Sequence, residues 1–154
     1  MPPALDRALR SIAAGLCGSA AHTILMTLKD WFGWLPAFRP YDGLQALLAS
    51  LTGSAVPALV PWMLTYFNGA VVLGLIYGRI HRFLPGGSGV AKGVLFGVLV
   101  WCAMGLTFFP AIGMGLFASG AALGFKPALF ALAMVLTYSV TLGVAYARLT
   151  PDTR

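Results

Sequence analysis

Four long stretches of this chain, residues 11–28, 43–78, 93–125 and 127–147, contain no Asp, Glu, Lys or Arg. About 20 apolar residues in a helix cross the hydrocarbon core of a bilayer. Only helices and closed barrels satisfy their own backbone hydrogen bonds in lipid. The pattern therefore predicts an all-α membrane protein with four transmembrane helices. Composition agrees: the 154 residues are 59% hydrophobic and 9% charged, against about 25% charged in soluble domains. Four spans use nearly the whole length, so residues 1–154 read as a single membrane domain. The net charge of +6 does not point to nucleic acid, because the basic residues end apolar runs, where they meet lipid headgroups.

The spans read as residues 9–28, 57–77, 90–117 and 127–147. Residues 1–26 have the outline of a signal peptide, but Leu16 before Cys17 is bulky for a lipoprotein cleavage site. They are expected to form an uncleaved first span. Cys17 and Cys102 sit inside apolar runs as small packing residues. Between spans one and two, Asp42 and Gln45 have the spacing of a capping box. Leu44, Leu47, Leu48 and Leu51 follow at helical spacing. A short interfacial helix over residues 42–52 is expected, or else a loop folded back over the bundle. Trp31, Phe32 and Trp34 suit the lipid–water interface.

Basic residues fix the expected orientation. Arg7, Arg10, Arg79, Arg82, Lys92, Arg148 and Arg154 fall on one side, and Lys29, Arg39 and Lys126 on the other. The positive-inside rule puts both termini in the cytoplasm.

Helices in lipid associate through small residues that let backbones approach. Such residues recur in every span: Ala14 and Gly18, Gly74 and Gly78, Gly93 and Gly97, Ser139 and Gly143. Leu-Gly-apolar-apolar-Tyr-small-Arg also occurs twice, at residues 73–79 and 142–148. The echo predicts two repeated hairpins, with Tyr77, Arg79, Tyr146 and Arg148 as interfacial anchors.

His22 is the one side chain deep within a span that can take up charge near neutral pH, about 18 Å past Arg10 at ~1.5 Å per residue. An intramembrane histidine is a functional candidate. Its plainer role is one interhelical hydrogen bond, to Asn68, Thr107 or Tyr138. Asn68, Trp101 and Tyr138 fall at similar depth and would complete a polar core with His22. His81 lies at the opposite edge, so a two-histidine haem is not expected. No metal spacing, nucleophile–base pair or paired carboxylate is present. Met104 and Met114 alone make no copper site.

The chain resembles a family of small bacterial four-helix inner-membrane proteins of unknown function. The first-span histidine, the Leu-Gly-x-x-Tyr helix end, the Leu-Pro-Gly turn and the Phe-Pro-x-x-Gly-Met-Gly segment carry the resemblance, over roughly residues 10–150. It implies a four-helix fold in the bacterial inner membrane and no established activity.

The sequence-based expectation is a non-catalytic accessory subunit of a larger inner-membrane complex, such as a respiratory or electron-transfer complex. Its partners would be the bilayer and other membrane subunits or further copies of itself. The alternatives are a small homo-oligomeric transporter or channel, and a membrane module binding quinone, haem or lipid. Pumps and transporters usually carry a charged residue at mid-membrane, and this chain has none. No cofactor is demanded by the sequence, although lipid or quinone contact is compatible with it.

Overall fold

The computed structural model describes residues 3–121 and 123–150; Arg154, used in the charge count, lies outside them. Five helices make up the fold: α1 (Pro3–Trp31), α2 (Pro40–Thr52), α3 (Leu59–Phe83), α4 (Gly89–Ala111) and α5 (Lys126–Leu149). Among the described residues there is no strand. All but α2 are long and apolar enough to cross a membrane. Side chains facing outward along them are apolar, among them Ile24, Met63, Phe67, Leu99, Leu106 and Leu129.

Residue chemistry sets the helix ends. Pro40 opens α2 at a first-turn position, where its missing N–H costs nothing. Gly53, with φ of 67°, closes it. Asp42 and Gln45 form no capping box: Asp42 pairs with Arg39, and Gln45 donates to the Val56 carbonyl. Ser88 caps α4 by accepting from the Ala91 N–H. The expected third span, residues 90–117, is too long, because α4 stops at Ala111. Gly113, with φ of 79°, lets its own N–H reach the Pro110 carbonyl and the Met114 N–H reach the Phe109 carbonyl. This closure turns the chain off the helix axis. Residues beyond it fold back, and the Phe117 ring rests on Gly105 and Trp101. Span one runs beyond its expected limits at both ends, and span two starts at Leu59 and continues to Phe83.

α5 lies between α1 and α4 and packs along both, while α1 also packs along residues 68–80 of α3. Glycines make these contacts. A Cβ on Gly74 would strike the Ser11 backbone, one on Gly93 the Ser139 backbone, and one on Gly143 the Gly89 backbone. Gly78 abuts Ser11, Gly18 abuts Tyr138, and Gly97 abuts Leu136 and Ser139. Ala14 is completely buried. Each expected packing residue is thus used within the chain. The two echoed helix ends hold equivalent places: α3 closes on α1, and α5 closes on α4.

Tyr77 and Tyr146 are not interfacial anchors. Both are buried, Tyr77 with 0% exposure, and their rings meet edge to face at 5.5 Å beside Phe96 and His81. Small neighbours leave room inside the bundle for these rings. Arg79 and Arg148, from the same motifs, point outward and are exposed.

Candidate functional site: a polar-studded cavity in the capped half

The half of the bundle that holds the start of α1 and the end of α5 is closed by these glycine contacts. The other half, capped by α2, opens. Residues Leu59–Phe67 lean on α2 rather than on α1. Two widened π-helical turns mark the transition, Asn68–Leu73 in α3 and Met104–Phe108 in α4. Such turns displace a helix face and are frequent at functional sites. The π turn leaves the Gly69 carbonyl placed to accept from both the Gly74 N–H and the Tyr138 hydroxyl, the latter at 2.6 Å.

A cavity of about 380 Å³ fills the space so created, between all four spans and beneath α2. Its wall is mostly apolar and aromatic, with Phe38, Trp62, Val100, Met104, Phe108 and Met134 contributing. Ser19, His22 and Thr23 reach it from α1, Asn68 from α3 and Tyr138 from α5. Spacing explains the α1 contribution, since positions 19, 22 and 23 share one helix face.

Three of these polar groups have no protein partner among the described residues. The Ser19 hydroxyl is 4% exposed and unpaired. No protein hydrogen bond reaches the His22 ring or the Asn68 amide. An unpaired polar group away from water is costly; that cost falls on the buried Ser19, while the half-buried His22 and the exposed Asn68 stand free to meet a ligand in the cavity. Thr23 and Tyr138 are already satisfied, by the Ser19 and Gly69 carbonyls.

Sequence reasoning placed His22, Asn68, Trp101 and Tyr138 at one depth. The structure gathers His22, Asn68 and Tyr138 around the cavity and leaves Trp101 outside it. Trp101 donates from Nε1 to the Ala128 carbonyl, and its ring packs on Phe117. Neither Thr107 nor Tyr138 bonds His22; Thr107 donates to Ala103 within its own helix. Ser19 was missed, although its spacing from His22 signals a shared face. Among the described residues, no group of three His, Cys, Asp or Glu side chains is gathered.

A second, more polar pocket of about 410 Å³ lies at the α2 end, lined by Lys29, Asp30, Arg39 and Asp42 together with Trp34. Tyr41 and Trp62, stacked at 4.1 Å, stand in the walls of both spaces. Burial, and then the negative charge of Asp30, push the Tyr41 phenol above the ordinary tyrosine range. It therefore stays a neutral donor.

Fold and site define an all-helical bundle with four helices of membrane-crossing length around a half-open cavity. The chain belongs to the family of unknown function DUF6789, which matches it over residues 5–154. No curated protein and no solved structure matches it.

Proposed function

We propose that the protein is a multi-pass binding module of the bacterial inner membrane, both termini cytoplasmic, that holds a small lipophilic molecule of the quinone class in the His22 cavity. One observation carries this reading: the buried, unpaired Ser19 hydroxyl shares one largely apolar cavity with the half-buried His22 ring and the exposed Asn68 amide. A quinone head presents carbonyl acceptors to hydroxyl, imidazole and amide donors, while its ring and tail suit aromatic and aliphatic walls. The cavity volume falls within the ~300–1,000 Å³ of small-molecule sites. A two-histidine haem gains no support, because His81 packs between Tyr77 and Tyr146 in the other half.

The role is binding rather than catalysis. Membership of a larger respiratory or electron-transfer assembly is compatible with it. That membership draws no support from the small-residue faces, which are spent inside the chain. A transporter reading draws support only from the hairpin repeat.

The test is titration of the purified protein with a short-chain benzoquinone and a naphthoquinone, read by quenching of tryptophan fluorescence, since Trp62 lines the cavity. Saturable binding is expected. His22→Ala and Asn68→Ala should each weaken it about tenfold, the worth of one hydrogen bond. Absence of saturable binding would overturn the proposal.

A further inference from the structure

The polar pocket at the α2 end calls for a ligand of its own, independent of the His22 cavity. Lys29 stands in the last turn of α1 and is 2% exposed. A buried ammonium is costly unless its N–H groups are paired. Lys29 spends one of its three donors, on Asp30 Oδ1 at 2.9 Å. Asp30 itself is 58% exposed, so its carboxylate is free to rotate toward another partner. Across the pocket Arg39 and Asp42 form a loose, exposed pair at 3.4 Å, of the kind that contributes little by itself. The pocket thus carries two cations and two anions, with unspent donors on the buried cation.

Position narrows the ligand. Trp31, Phe32 and Trp34 stack in a row at 5.6 and 5.2 Å, all exposed, at the end of α1 and just beyond it. Exposed aromatics at a span's end mark headgroup depth in a bilayer. An anion alone would leave the pocket with excess negative charge, and a cation alone would compete with Lys29. A zwitterion keeps it balanced. We infer that the pocket binds the headgroup of an aminophospholipid, its phosphate on Lys29 and Arg39 and its ammonium on Asp30 and Asp42.

Native mass spectrometry of the full chain in mild detergent, with dioleoyl phosphatidylethanolamine and phosphatidylglycerol added in turn, tests this directly. The ethanolamine lipid should bind at least about tenfold more tightly, as charge-assisted hydrogen bonds imply. Lys29→Gln should weaken both lipids about tenfold, since both present the phosphate it holds. Should that variant fail to fold, Asp30→Asn provides the second arm: it should weaken only the ethanolamine lipid. Equal or tighter binding of the glycerol lipid would overturn the zwitterion assignment. So would an ethanolamine preference that survives Asp30→Asn, or binding of both lipids unchanged in Lys29→Gln. Displacement of the lipid by free phosphoethanolamine at equal concentration would overturn the lipid as source. His22→Ala should leave the lipid preference unaltered, so failure of the quinone reading and failure of this one are separable.

Discussion

The two halves of this bundle are built from the same four helices and hold together differently. In the terminal half, backbone meets backbone. Gly15 lies on the Ala70 carbonyl, Gly74 on Ser11 and Gly143 on Gly89, around a core of Tyr77, Phe96, Leu142 and Tyr146. In the capped half the contacts run through large side chains, such as Phe38 on Phe109 and Tyr41 on Trp62. Polar groups there are left to a cavity. The lesson concerns the price of closeness. Small residues give van der Waals contact and no room, whereas π-helical turns and aromatic spacers give room at some cost in packing.

The comparison is broken most severely by filling the closed half. Gly15→Val places branched carbon against the Ala70 carbonyl, a backbone atom that cannot move alone. Destabilisation of at least about 3 kcal/mol is expected, read from unfolding in mixed detergent. A smaller loss would mean that α1 and α3 separate more easily than their contacts imply.

Tyr138→Phe probes the boundary between the halves. It removes the hydroxyl that donates to Gly69, both buried. A loss of about 1 kcal/mol is expected in the same assay. No loss at all would show that the widened turn at Gly69 does not depend on this bond.

Asn68→Leu should have the opposite sign. It replaces an unpaired amide in the capped half with an apolar side chain of similar size. Stability should hold or rise by up to about 1 kcal/mol, while quinone affinity falls. Destabilisation would mean that the amide has a structural partner, and the division of labour between the halves would fail.

The spans were legible in the sequence because charged residues are excluded from hydrocarbon whatever the packing. The glycine faces were legible for the same reason, since closeness demands small residues at helical spacing. Which helices those faces join was not. Nor were the π turns: residues 68–73 and 104–108 are uncharged, and Asn68 and Thr107 mark polar positions without signalling a widened turn. Counting residues gave depth but not direction. Trp101 shares its depth with the cavity, yet Val100, Met104 and Phe108 occupy the inward face, and Trp101 points to Ala128. Tyr77 and Tyr146 sit where interfacial tyrosines belong, and only the three-dimensional gap left by glycines draws them inward. Lys29 reads as one of the basic residues that end apolar runs and meet lipid headgroups; its burial arises from the folded-back connection and α2, with Trp34, Pro36 and Tyr41 around its pocket.

On the proposed function, ligand binding belongs to the capped half alone. Photolabelling of the purified protein with an azido-naphthoquinone, mapped by peptide mass spectrometry, tests it most directly. Labels are expected on Met104 and Met134 at the cavity wall, competed away by unlabelled quinone and markedly reduced in Asn68→Leu. Labels on Tyr77 or Phe96 in the closed half, or spread evenly over lipid-facing residues such as Leu99 and Leu129, would contradict it.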